Sequence, residues 1–198
     1  DTQTPTFYYT DPHGTFGFVS EGGGGAAIPS LETLLKILPK ENLWPYNTEE
    51  NYNVWNYHTC RGGFNNLNHI TSFIDNTYGA SESVEEYVTR GQLFDYDSQR
   101  AQYEAQALFR YTSTSGIVNW MLNNAWPLIY WNQFDFYMNP HGSTFGVAKA
   151  NEPVHIMYNP YDKDVYVINN TTQSYGDMTA TLRLYDINGN LISEPLTK

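Results

Sequence analysis

The chain has 198 residues, one domain and a fraction of a second at about 150 residues per domain. Ten Lys and Arg against 21 Asp and Glu leave a net charge of −11, and a surface this acidic repels phosphate backbones and anionic lipid, which excludes nucleic acid and membrane surfaces as partners. With 40% apolar and only 16% charged residues the chain can bury a core, and its apolar runs, such as residues 125–130, fall far short of the roughly 18 residues of a spanning helix.

In chain order, residues 16–20 are aromatic and β-branched and predict a short buried strand, preceded by the turn signal Asp11-Pro12-His13-Gly14. The strand runs into Glu21 and then Gly22-Gly23-Gly24-Gly25, so a carboxylate stands where a strand gives way to a loop of minimal bulk. Ser30 reads as the N-cap of a helix over residues 31–38, with Leu31, Leu34, Leu35 and Leu38 on one face and Pro29 and Pro39 closing it. Residues 45–64 are polar and aromatic without a sustained period and predict a surface excursion with no element of its own. One short helix is expected over residues 68–76, and a capping box formed by Ser83 and Glu86 opens a long helix to about residue 109.

The nearly continuous apolar run at residues 117–122 predicts a strand buried on both faces, the parallel partner of the first. A further helix is expected around residues 145–151. Beyond Pro153 the pattern changes to period two at residues 155–158, 164–169 and 179–186, with an Asn188-Gly189 hairpin signal, the opening strands of a sandwich. About 45 residues of it are present where an immunoglobulin-like sandwich needs about 100. The expected division is therefore a first domain over 1–152 and an incomplete sandwich over 153–198.

The N-terminal Asp1-Thr2-Gln3-Thr4-Pro5 has no basic region, no apolar stretch and no initiator Met, so the chain is expected to be a processed or excised piece. Its compartment is left open, with a secreted or periplasmic one favoured. Cys60 is the sole cysteine, which excludes an internal disulfide and a multi-cysteine zinc site and leaves a small, partly buried thiol. His13, His58, His69, His141 and His155 have no metal-ligand spacing, so neither metal nor cofactor is expected. The glycine run lacks the Lys-Ser/Thr of a phosphate loop, and Ser20 is not in a Gly-x-Ser-x-Gly elbow.

What stands out is aromatic content, 17 Tyr, 10 Phe and 5 Trp, accompanied by abundant Asn. Flat rings beside neutral amides suit sugars, whose apolar C–H faces lie on rings and whose hydroxyls meet amides and carboxylates. Glu21 stands where barrel enzymes place catalytic groups, although position alone leaves a solvated loop carboxylate open. Trp120, Asn123, Asn124 and Trp126 would give a sugar an apolar floor and amide partners, with ordinary core tryptophans as the alternative. Tyr57 and Tyr96 are candidates to hydrogen-bond a carboxylate or a sugar hydroxyl, or else core aromatics.

The strings Phe16-Gly17-Phe18-Val19-Ser20-Glu21, Ile28-Pro29-Ser30-Leu31-Glu32-Thr33-Leu34 and Leu43-Trp44-Pro45 resemble glycoside hydrolase family 2, in particular its exo-β-D-glucosaminidase branch. So do Asn56-Tyr57-His58, Gln92-Leu93-Phe94-Asp95-Tyr96, Trp120-Met121-Leu122-Asn123-Asn124-Ala125-Trp126-Pro127 and Phe145-Gly146-Val147-Ala148-Lys149-Ala150-Asn151-Glu152-Pro153. The resemblance implies an α/β fold, the last two strands of a (β/α)8 barrel followed by the start of a β-sandwich. It places Ser20-Glu21 on the family's nucleophile motif and the acid/base carboxylate upstream of Asp1, outside this chain. Val19 stands where Asn is common, and the glycine run is longer than in such relatives. The implied activity is retaining hydrolysis of terminal β-linked sugars, β-D-glucosamine of chitosan-type oligosaccharides first, with β-mannosidase, β-galactosidase or a non-catalytic carbohydrate-binding module as alternatives. The implied partners are an oligosaccharide and either the upstream part of the same enzyme or an oligomer that covers the barrel edge, and the chain alone is expected to be inactive.

Overall fold

The computed structural model describes residues 4–10, 15–23, 27–59 and 67–198. The turn at Asp11-Pro12-His13-Gly14, the end of the glycine run at Gly24-Gly25, Cys60 and Phe64 lie outside the described residues.

Strands β1 (Gly17–Gly22) and β2 (Thr114–Asn119) pair in parallel, as the sequence pattern required. Between them come helices α1 (Leu31–Ile37), α2 (Glu49–Tyr57), α3 (Leu67–Tyr78) and α4 (Val84–Leu108). Local chemistry sets the starts of α1 and α4. The Ser30 hydroxyl accepts the Thr33 N–H at 3.3 Å, and the Ser83 hydroxyl accepts that of Glu86 at 3.2 Å. The Glu86 carboxylate reaches back to the N–H of Glu82, at 2.9 Å, so the second arm of this capping box lands one residue earlier than the usual pattern.

The structure corrects several expectations. β1 is not a buried strand, since each of its six residues is half-buried or exposed. Residues 45–64 are not a featureless excursion, because α2 forms within them. The Thr48 hydroxyl accepts the Asn51 N–H at 3.3 Å, Glu49 and Glu50 occupy the first turn, and Trp55 is fully buried with its indole N–H on the Asn42 carbonyl at 3.0 Å. Trp55, joined by half-buried Tyr52 and Val54, replaces the regular apolar stripe that periodicity looks for. The second strand runs three residues earlier than expected and is not buried on both faces. The chain leaves it at Trp120, where the Met121 N–H turns to the Trp131 carbonyl at 2.7 Å and the run 120–122 folds onto residues 131–134. The helix after residue 140 is α5 (Gly142–Ala150), also shifted toward the N-terminus.

The main core lies between these helices and residues 128–130: Ile28, Leu34, Trp55, Ile70, Tyr87, Phe94 and Ile129 are all fully buried. α5 packs backbone to backbone on α4. A Cβ at Gly142 would lie 2.0 Å from the Gln92 carbonyl oxygen, so only glycine fits there. The first amides of α5 are capped from α4, Gly142 by the Gln92 side chain and Ser143 by the Asp95 carboxylate, both at 2.7 Å. Burial pushes the Asp95 carboxyl up to about 7, against these bonds from Ser143. The neighbouring His141 imidazole is buried, neither ring nitrogen hydrogen-bonds to a group among the described residues, and burial lowers it to about 4, against the pull of Asp135.

After α5, strands β3 (Val154–Tyr158) and β4 (Val165–Asn169) form an antiparallel hairpin, and β5 (Thr181–Leu182) pairs with β6 (Leu196–Thr197). One face of the first hairpin, with Met157, Tyr166 and Ile168, closes a second core with Tyr8, Tyr9, Ala101 and Ala105. A buried polar hub locks this contact. The Glu104 carboxylate accepts from the Tyr9 hydroxyl at 2.6 Å, Arg100 Nε at 2.7 Å and His155 Nε2 at 2.6 Å. Burial, reinforced by that carboxylate, holds the Tyr9 phenol far above its usual range. The predicted Asn-Gly hairpin forms over residues 185–191, where the Asp186 carboxylate accepts the N–H groups of Asn188 and Asn190.

Candidate active site

Glu21 is the penultimate residue of β1 and its side chain is exposed. The next residue, Gly22, pairs with Asn119 of β2, and its carbonyl accepts the Trp120 N–H at 2.7 Å. Both strands therefore end side by side, with a carboxylate on one and an indole on the other. Beyond Glu21 the backbone passes directly over that of Trp120: a Cβ at Gly23 would lie 2.2 Å from the Trp120 carbonyl oxygen. Gly23 is thus a packing requirement of the strand ends. Trp120 keeps 47% of its surface exposed.

The loop after Trp120 is tied down by its own backbone. The N–H of Phe134 donates to the Leu122 carbonyl at 2.9 Å, and the Asn124 side-chain oxygen accepts the N–H of Trp126 at 3.1 Å. Asn123 is exposed, with its amide 3.4 Å from the Met138 sulfur. Trp126, 45% exposed, meets the ring of Tyr57 edge-on with centroids 5.6 Å apart. Behind it lies buried His58, whose imidazole is stacked on the indole at 6.0 Å and 16°. His58 also donates from Nδ1 to the Pro127 carbonyl at 2.8 Å and accepts the Ile129 N–H on its own carbonyl at 2.8 Å.

The structure thus joins Glu21 to Trp120 through the strand ends, and Tyr57 to Trp126 through their rings. Tyr96 is placed elsewhere. It stands on α4 with its hydroxyl 3.4 Å from Arg100 Nη1, and its carbonyl supports Gly146 of α5. Sequence reasoning weighed His58 as a metal ligand and as part of the Asn56-Tyr57-His58 string, and missed its contact with Trp126. Its partner Pro127 is 69 residues away, and no local spacing signals that contact. Among the described residues no three His, Cys, Asp or Glu side chains converge to hold a metal ion. Exposed rings and neutral amides near a carboxylate at a strand end can meet the apolar faces and hydroxyls of a sugar.

No family model matches the chain. It is 35% identical over 185 residues to the exo-β-D-glucosaminidase of Hypocrea jecorina, covering 92% of this chain and 21% of that enzyme. The crystal structure of the Amycolatopsis orientalis exo-chitosanase superposes with a TM-score of 0.89 at 32% identity, over 100% of this chain and 24% of that one. The mannosylglycoprotein endo-β-mannosidase of Lilium longiflorum is 23% identical over 198 residues, covering 96% of this chain and 20% of that enzyme. The chain spans about a fifth of the length of the curated relatives it matches. By sequence and fold it belongs to the exo-β-D-glucosaminidase-like branch of glycoside hydrolase family 2, as the counterpart of one segment of such an enzyme.

Proposed function

We propose that residues 1–152 are the C-terminal portion of a (β/α)8 catalytic barrel, that residues 153–198 begin a β-sandwich, and that the full-length protein is a retaining exo-β-D-glucosaminidase with Glu21 as nucleophile. The observation that carries this reading is the placement of Glu21 at the C-terminal end of a parallel strand, whose next residue, Gly22, is hydrogen-bonded to the backbone of half-exposed Trp120.

In the first step a Glu21 carboxylate oxygen bonds to the anomeric carbon as the C–O bond to the leaving group breaks. The leaving oxygen takes its proton from an acid carboxyl outside this chain, about 5 to 5.5 Å from Glu21. In the second step that residue, now a base, removes a proton from water, whose oxygen displaces Glu21 and restores its carboxylate. Trp120 offers the sugar an apolar wall, with Trp126, Tyr57, Asn123 and Asn124 beyond it. The net charge of −11 favours a cationic glucosamine substrate.

Exposed apolar side chains on and next to the strand pair, Phe16 at 69%, Phe18 at 62% and Val118 at 51%, support an upstream part of the same enzyme, or an oligomer, as the cover for that edge. Ile156 and Val167, a cross-strand pair on the outer face of the β3–β4 hairpin, are likewise exposed, as the inner face of an incomplete sandwich would be. Similarity to the lily endo-β-mannosidase keeps β-mannosidase as the second reading. Treating the full-length protein with a 2-fluoro glycoside and mapping the label tests the proposal. Covalent sugar on the Glu21 peptide supports it, and sugar on another carboxylate refutes it. Comparing glucosaminide with mannoside turnover separates the two activities.

A further inference from the structure

We propose that His58 is a positioning residue that fixes the indole of Trp126 as a platform for a sugar ring. The proposal rests on the reading of Trp126 and Tyr57 as substrate-binding rings and adds the residue that holds them in place.

An indole of the core is covered on both faces, whereas Trp126 leaves 45% of its surface exposed. The nearly parallel imidazole of His58 nevertheless packs offset against it, with centroids 6.0 Å apart, and the edge-on Tyr57 flanks it at 5.6 Å. Tyr57 also meets His58 at 88°, so the three rings brace one another. A half-exposed ring with its back supported presents one apolar face in a fixed orientation. Such a face suits the C–H side of a pyranoside, and its prior ordering reduces the entropy lost on binding.

The hydrogen bonds of His58 fix the imidazole itself. The Pro127 carbonyl can only accept, so Nδ1 must carry a proton, which sets the rotation of the ring. The second tie, Ile129 N–H to the His58 carbonyl, holds residues 127–129 to the C-terminal end of α2 at two points. Trp126 directly precedes the first of these ties. Its own N–H is held by Asn124. A change at His58 thus reaches the sugar-facing indole by two routes, the stacked ring and the Pro127 carbonyl.

The test is binding of a β-1,4-linked glucosamine trisaccharide to the full-length protein by calorimetry, with Trp fluorescence as a second readout. Trp126→Ala is expected to weaken binding about tenfold, as loss of a stacking ring does. His58→Ala should weaken it by a similar factor and alter the fluorescence of Trp126. His58→Asn, which retains a side-chain N–H for Pro127, and His58→Phe, which retains the stacked ring, should each recover part of the loss. A purely structural role predicts binding that follows thermal stability and not the retained contact. If His58→Ala and His58→Asn both bind within about twofold of wild type while Trp126→Ala binds weakly, the positioning role is wrong and the platform stands. If Trp126→Ala binds like wild type, the platform reading fails and the proposal with it.

Discussion

Gly23 lies against the carbonyl oxygen of Trp120 so closely that a Cβ would stand 2.2 Å from it, which makes the chain leaving Glu21 and the chain entering the Trp120 loop one packed unit. Gly23→Ala must therefore push the two strand ends apart. A loss of about 1 to 3 kcal/mol in stability is expected from such overpacking. In the full-length protein kcat should fall more than KM rises, because the displaced group is the carboxylate that reacts. Denaturant melts and steady-state kinetics check both parts.

Glu104 should be the most sensitive buried charge of the chain. Glu104→Ala leaves Arg100 and His155 without their shared acceptor and the Tyr9 hydroxyl without a partner. Breaking a buried pair by removing one member costs about 3 to 5 kcal/mol. The β3–β4 hairpin and the turn at Tyr9 meet α4 at this point, so their amides should lose hydrogen-exchange protection before those of α3. Uniform loss across the chain would show that the hub is not local to that junction.

Asp95 and His141 should titrate against each other. A raised carboxyl stabilises the fold fully below its unfolded value of about 3.9 and loses that contribution as pH rises toward 7. A lowered imidazole does the reverse, contributing above its unfolded value of about 6.5 and losing stability as pH falls toward 4. Between these limits the two slopes oppose. Asp95→Asn should gain on wild type as pH rises from about 4 to 7, and His141→Asn should gain as pH falls from about 6.5 to 4. Denaturation midpoints across this range decide the matter, since curves parallel to wild type would mean that neither group is linked to folding.

The legible parts of the fold were those with local chemistry. Ser30 and Ser83 announce α1 and α4 because a cap is made within three residues, and the β1–β2 pairing follows from two short apolar runs separated by helices. α2 was hidden because its core residues, Trp55 with half-buried Tyr52 and Val54, follow no sustained helical period, while the run at 117–122 misled because its last residues serve a loop. At the candidate site, strand-end position marks Glu21, and the dense Trp and Asn of residues 120–126 mark the loop. His58 and the displacement of Tyr96 toward Arg100 depend on contacts that no spacing encodes.

The 198-residue chain by itself should show no glycosidase turnover, because the acid carboxyl and most of the barrel are expected outside it. It should also self-associate or bind hydrophobic dyes through Phe16, Phe18, Trp120 and Leu122. Nitrophenyl glucosaminide hydrolysis by the purified chain, or a monodisperse monomer with a cooperative melt and no dye binding, would count against this.

The central claim is that Glu21 is the attacking carboxylate, and the most direct measurement is kcat and KM of Glu21→Gln in the full-length protein on a β-D-glucosaminide. The amide keeps the size and hydrogen-bonding capacity of the side chain but cannot form the glycosyl-enzyme. Ground-state binding should therefore be nearly unchanged while kcat falls by several orders of magnitude. A variant that keeps about a tenth or more of wild-type kcat would contradict the account, since losing the nucleophile of a retaining enzyme cannot be that mild.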